Sequence, residues 1–216
     1  MIEIKKISCI RCKNLHSETL YSGTDRLCVY CKADIAEQGP APAAVEPQVK
    51  KEETLEDKAK AELALRFLTR KRLLPFVERF NPDYVAGWVH KDICKRLEEF
   101  SRDVAEKKSP RLMLFMPPRH GKSTLASVAF PAWHLGRNPE HEFISCSYSG
   151  SLAMAFSRKV RGLLREEGYR SAFKTRLDPQ SQSAEAWLTS TGGGYVAAGV
   201  GGGITGKGAH VLVIDD

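Results

Sequence analysis

"RLMLFMPPRHGKSTLASVAF", residues 111–130, joins a short apolar run to a helix-forming one through a loop that ends in Gly-Lys-Ser. The run "RLMLFM" (111–116) is of the kind that makes a buried strand, and "KSTLASVAF" after Gly121 favours a helix. A loop set between a buried strand and a helix start turns free backbone N–H groups and the helix dipole toward one place, and that arrangement holds a phosphate. There Lys122 reaches the terminal phosphates of a nucleotide such as ATP and Ser123 offers its hydroxyl to Mg²⁺, while Pro118, Arg119, His120, Gly121 and Thr124 complete the wall. The glycine expected five places before Gly121 is replaced by Met116. A second stretch, "GGGITGKG" (201–208), has that leading glycine and the Gly-Lys, but Gly208 stands where the hydroxyl is required. It runs straight into the strand-like "HVLVIDD" (210–216), with no helix after it. The phosphate site is therefore assigned to 117–124, and 192–208 is read as a mobile surface or substrate-contacting loop.

Outward from the loop, strand-like and helix-like segments alternate. "EFISCSY" (142–148) reads as a strand, "SLAMAFSRKVRGLLREE" (151–167) as a helix and "HVLVIDD" as a further buried strand. The alternation predicts an α/β domain with a mostly parallel sheet. Nucleotide hydrolases of the additional-strand type end an apolar strand in an acid that holds Mg²⁺ through water, with a second carboxylate beside it to polarise the attacking water. Asp215 and Asp216 fit those two roles, the alternative being a strand whose two terminal acids only cap a turn. One strand and one helix between the loop and Asp215 is what an inserted central strand requires. Upstream, Thr54 with Asp57 three residues on predicts a helix start, with Leu63, Phe67 and Leu74 on one face. "WVHKDICKRLEEF" (88–100) predicts an amphipathic helix with Ile93, Leu97 and Phe100 inward.

The whole chain of 216 residues is 42% hydrophobic and 27% charged, which suits one good-sized globular domain plus a small module. No run reaches a membrane-spanning length and the N-terminus lacks a secretory signal, so a cytoplasmic chain is expected. The formal net charge of +7 fits a polyanion partner such as nucleic acid. Residues 1–36 hold two cysteine pairs, residues 37–53 form a Pro/Ala-rich and then charged linker, and 54–216 carries the α/β pattern. Cys9-Ile-Arg-Cys12, fifteen intervening residues and Cys28-Val-Tyr-Cys31 have the spacing of a zinc ribbon, four thiolates on one tetrahedral Zn²⁺ with no open position for water. Two disulfides are disfavoured in a reducing cytosol, and so short a segment has too little apolar surface to fold unaided. Lys5, Lys6, Arg11, Lys13, Arg26 and Lys32 make a phosphate-facing surface on this module plausible, whereas Cys94 and Cys146 are read as small buried hydrophobes.

With these residues in place, the stretch from about Leu65 to Asp216 resembles the ATPase domain of the large terminase subunit of tailed bacteriophages. The resemblance is carried by "FNPDYVAGWVHKDI", "LMLFMPPRHGKST", "ISCSYSGSLAMAFSRKVRGLL" and "AEAWLTSTGGGYVAAGVGGGITGKGAHVLVIDD", in that order. It implies a P-loop NTPase of RecA-like type, a motor that uses ATP to drive double-stranded DNA into a capsid. Lys122 and Ser123 would then lie on the phosphates and Mg²⁺, Asp215 would be the metal carboxylate, and Arg119 would stabilise charge on the transferring phosphoryl group. The region of Trp88 and His90 corresponds to the family's adenine contacts. Implied partners are the small terminase subunit and the portal protein, with assembly into a homo-oligomeric ring. Many members have glutamate where this chain has Asp216, and the zinc ribbon is not a general feature of the family. The chain stops at Asp216, so the family's coupling motif, remaining sheet and nuclease site are expected to be missing from it. Two other readings stay open: a zinc-ribbon helicase or other DNA-dependent ATPase, and a catalytically inert, zinc-dependent DNA- or subunit-binding fragment.

Overall fold

A computed structural model describes residues 6–8, 15–17, 54–204 and 206–215. The chain's internal contacts divide it into Met1–Glu52 and Glu53–Asp216. In the first unit, strands β1 (Lys6–Ser8) and β2 (Leu15–Ser17) pair antiparallel with Lys6 opposite Ser17 and Ser8 opposite Leu15. By sequence, the six residues that join them include Cys9 and Cys12.

The second unit opens with three helices, α1 (Leu55–Lys71), α2 (Leu73–Phe80) and α3 (Trp88–Ala105). Thr54 caps α1 reciprocally: the Asp57 N–H donates to Thr54 Oγ1 at 3.2 Å and the Thr54 N–H donates to Asp57 Oδ2 at 3.3 Å. The inward face of α1 is not the expected apolar one. Leu63 and Phe67 are 62% and 53% exposed, and the helix instead turns Glu62, Arg66 and Thr69 toward its neighbours. The reason lies in the partners it meets. Glu62 accepts from Arg66 at 2.6 Å and from Arg79 of α2 at 2.8 Å, while the carbonyl of the fully buried Thr69 accepts from Trp133 Nε1 at 3.1 Å. Helix α3 keeps its predicted pattern, burying Ile93 and Leu97 and packing Phe100 against the core.

After the loop at 117–121 the chain enters a helix at Lys122, widens into a π-helical turn at Thr124–Ala129, and continues as α4 (Phe130–Arg137). Next come β3 (Glu142–Ser147), α5 (Gly150–Arg165), the short α6 (Glu167–Ala172), β4 (Leu177–Gln182), β5 (Ala186–Thr189), β6 (Gly194–Gly199) and β7 (Val211–Asp215). Ser149 caps α5 by accepting from the Leu152 N–H at 3.2 Å.

The five strands make one sheet in the order β4-β5-β6-β3-β7. It is mixed and not mostly parallel: β4/β5 and β5/β6 are antiparallel, whereas β6/β3 and β3/β7 are parallel. Short connections dictate this. Only residues 190–193 separate β5 from β6, too few for the crossover that parallel neighbours need. Gly192 in that turn has φ +95°, and a Cβ on Gly193 would come within 2.3 Å of the Pro139 carbonyl, so glycine alone fits there. The expected loop over 192–208 is corrected accordingly. Its residues 194–199 are β6, an interior strand with Gly194, Tyr195, Ala197 and Ala198 buried. The expected interval of one strand and one helix before Asp215 also contains β4, β5 and β6.

Register explains the core. Trp187 lies opposite Tyr195, Tyr195 opposite Phe143 and Phe143 opposite Val211. The three rings stack across the sheet with centroids 5.2 and 5.5 Å apart, on the face where Phe143 meets Phe130 of α4. On the opposite face Leu188, Leu212 and Ile214 are exposed. The run 111–116, expected as a strand, is extended but makes no ladder among the described residues. It keeps the period of two: Leu112, Leu114 and Met116 pack on the core while Met113 and Phe115 face outward. Periodicity records which face is buried, whereas a ladder also needs a neighbouring strand. Among the described residues no helix is long and apolar enough to cross a membrane.

Candidate functional site

The loop between the extended run and the helix turns sharply on two residues of positive φ, Arg119 (+63°) and Gly121 (+84°). The carbonyl of Gly121 accepts the first helical hydrogen bond, from Leu125 N at 3.0 Å, so the chain at Gly121 to Thr124 is a helix entrance. A cavity of about 640 Å³ opens there, lined by Met116 to Arg119 and Gly121 to Thr124. The other Gly-Lys stretch leads into a strand instead. Gly201 and Gly206 also have positive φ, but the chain passes from Lys207 into β7 with no helix between.

The upstream segment braces the loop from outside. His90 Nδ1 accepts from the Gly87 N–H at 3.0 Å, which leaves the ring proton on Nε2, and Nε2 donates to the His120 carbonyl at 3.0 Å. The His120 ring turns back to the Pro118 carbonyl at 2.8 Å. Tyr84 packs edge-on against His90 at 5.6 Å. Its hydroxyl, buried without a hydrogen-bond partner among the described residues, lies 3.3 Å from where a Cβ on Gly121 would be. Burial pushes the Tyr84 phenol up to about 12. Expected as an adenine contact, His90 thus holds the loop backbone, while Trp88 stands 81% exposed. Nothing in the sequence marks Tyr84 or this role of His90, because both depend on a contact some thirty residues away.

Asp215 lies at the end of β7 and is 6% exposed. Its Oδ2 accepts from Ser127 Oγ at 2.7 Å, a buried hydrogen bond that ties the strand end to the helix leaving the loop. Ser127 stands four residues past Ser123, and sequence reasoning missed it. Across the ladder from Asp215 is Ser147, whose buried hydroxyl has no partner among the described residues. The structure thus gathers Pro118 to Thr124 into one loop and helix start, and Ser127 links that helix to Asp215. Asp216 and the four paired cysteines, Cys9, Cys12, Cys28 and Cys31, lie outside the described residues. Among the described residues no group of three or more His, Cys, Asp or Glu side chains is placed to hold a metal ion.

A family model described as terminase large subunit, T4likevirus-type, N-terminal, matches residues 113–216. Comparisons with curated proteins and with solved structures returned no match. The matched stretch includes the loop, the helix after it and all of β7. Residues 113–216 are thus similar to the N-terminal part of phage terminase large subunits.

Proposed function

We propose that residues 54–216 form the nucleotide-binding part of the ATPase that powers DNA packaging. The observation that carries this reading is the loop at 117–121, which opens onto a helix entrance and is joined through that helix to a buried carboxylate at a strand end. The cavity is large enough for a polyphosphate, and Gly121, with φ +84° and Tyr84 and His90 close to where a Cβ would stand, lets the loop turn sharply into the helix. Backbone N–H groups from Gly121 to Thr124 would hold the phosphates with Lys122, while Arg119 would face the transferring phosphoryl group. Ser123 and Asp215 would hold Mg²⁺, which when bound neutralises charge on the phosphate oxygens. In hydrolysis a water oxygen bonds to the γ-phosphorus, the bond to the bridging β-oxygen breaks, ADP leaves, and Asp216 is assigned to take the water's proton.

Double-stranded DNA is the proposed polyanion partner. The net charge of +7 and the basic residues Arg158, Lys159, Arg161 and Arg165 along α5 support it. The small terminase subunit, the portal and a ring of copies belong to the same reading. Zn²⁺ on Cys9, Cys12, Cys28 and Cys31 is proposed for the first unit, supported by the cysteine spacing and by a hairpin whose connection includes the first pair.

The test is nucleotide binding, measured with a fluorescent ATP analogue and Mg²⁺. Lys122→Ala should abolish binding, and Lys207→Ala should leave it unchanged within about twofold. Equal loss in both variants would overturn the assignment of the site to 117–124.

A further inference from the structure

We infer that Ser127 is a positioning residue for the metal site: its hydroxyl fixes the Asp215 carboxylate relative to Ser123, so that the two act on one Mg²⁺. The inference rests on the nucleotide reading but stands on its own geometry. A serine inside a helix competes with the backbone and gains nothing from being fully buried unless its hydroxyl is used. Ser127 is 0% exposed, and its Oγ donates at 2.7 Å to a carboxylate 88 positions away in the chain. From the other side, a carboxylate only 6% exposed is costly without a donor, and Ser127 supplies one. Both ends of the bond therefore depend on it.

The local winding places Ser127 where it is needed. Thr124–Ala129 is π-helical, with the Phe130 N–H returning to the Leu125 carbonyl, and the buried positions Leu125, Ser127 and Ala129 lie within it. π-Helical turns in otherwise regular helices concentrate at functional sites. Here the turn comes directly after Ser123, so loop, π turn and β7 form one connected path from the helix entrance to Asp215. The bond engages Oδ2 alone, which leaves Oδ1 for a further partner. Ser147, adjacent to Asp215 in register and with a buried hydroxyl lacking a partner among the described residues, marks the same spot as polar ground. Groups that orient a ligand carboxylate in this way tune metal affinity without touching the metal.

The experiment is a double-mutant cycle on the full 216-residue chain with Ser127→Ala, Asp215→Ala and the pair, read in two ways. The first readout is thermal stability without nucleotide or metal. Ser127→Ala strands a buried carboxylate and should melt below the double variant, in which neither partner is left unsatisfied. This arm holds even if Ser127→Ala is too unstable to purify, because the double variant then recovers folding. A double variant no more stable than Ser127→Ala overturns the coupling. The second readout is the Mg²⁺ concentration that half-saturates the metal-dependent part of ATP-analogue binding. Ser127→Ala should raise it about tenfold while affinity for the analogue in EDTA stays within about twofold, and it should add nothing on the Asp215→Ala background. Ser127→Thr, which keeps the hydroxyl, should restore the wild-type Mg²⁺ dependence. Parallel loss of metal-free and metal-dependent binding, or no change in either, overturns the positioning role. If no variant and not even wild type binds the analogue, the nucleotide reading fails, whereas the stability arm still decides whether Ser127 and Asp215 are coupled.

Discussion

Gly121 adopts φ +84°, and a methyl group added there would meet the Tyr84 hydroxyl at 3.3 Å, whereas one added at Gly208 would meet nothing within 4 Å. For an L-residue the left-handed backbone alone costs about 1–2 kcal/mol. Gly121→Ala should therefore lower unfolding stability by about that amount and weaken nucleotide binding. Gly208→Ala should stay within about 0.5 kcal/mol of wild type, as expected for a surface substitution. Urea unfolding of the two variants checks this, and equal losses would mean that the loops are constrained alike. Gly121 is legible in the sequence because Gly-Lys-Ser between an apolar run and a helix former has a mechanism attached to it. Ser127 is not, since a serine among "TLASVAF" reads as a tolerated helix residue, and its worth depends on Asp215 arriving beside it through the sheet. The bracing contact of His90 is likewise not legible in the sequence. Its two ring nitrogens are taken up by the Gly87 N–H and the His120 carbonyl, a fact of three-dimensional neighbours only.

Between elements, three histidines form a row that no sequence pattern announces. Ser101 Oγ of α3 meets His134 Nδ1 of α4 at 2.8 Å, His134 Nε2 meets His141 Nδ1 just before β3 at 3.0 Å, and His141 stacks on His210 just before β7 at 4.3 Å. Burial above all, with neighbouring positive charge on His141 and Arg137 adding to it, pushes His134 down to about 3; burial and His210 also lower His141. In the folded protein His134 thus stays neutral where an unfolded histidine, at about 6.5, takes up a proton. The unfolded state then binds more protons below that value, so the stabilisation is present above about pH 6.5 and is lost as pH falls toward 3. The expected slope is about 1.4 kcal/mol per pH unit for one such proton. Urea melts at pH 7, 6 and 5 should show the decline, and His134→Gln should flatten it by about one proton; an unchanged slope in that variant would assign the effect elsewhere. Helices and buried strands are largely legible because caps and periodicity are local, as at Thr54 and in β3. The hairpins β4-β5-β6 are not: "TGGGYVAAGVGGG" has the composition of a loop, and small residues serve β6 because a Cβ on Gly199 would come 2.4 Å from the Gly150 nitrogen.

At the scale of the whole chain, the division into Met1–Glu52 and Glu53–Asp216 lets the proposed zinc module be tested without disturbing the rest. Four thiolates around Zn²⁺ bind with a free energy that, in short zinc-finger peptides, is about 10–16 kcal/mol and is itself the folding free energy. A segment of fewer than about 40 residues has little else to hold it, since its burial of apolar surface is too small. The second unit has a core of its own, the aromatic ladder of Trp187, Tyr195 and Phe143 packed beneath the helices, and is expected to hold without such a metal. A built-in reporter separates the two. All three tryptophans, Trp88, Trp133 and Trp187, lie in the second unit, and Trp133 and Trp187 are fully buried. Purified protein should carry one Zn²⁺ per chain. Chelation, or Cys28→Ser, should leave the tryptophan-fluorescence melting curve unchanged while making residues before about 53 sensitive to protease. A zinc content near zero would end the proposal for the first unit, and a tryptophan melting point that falls with chelation would show that the two units fold as one.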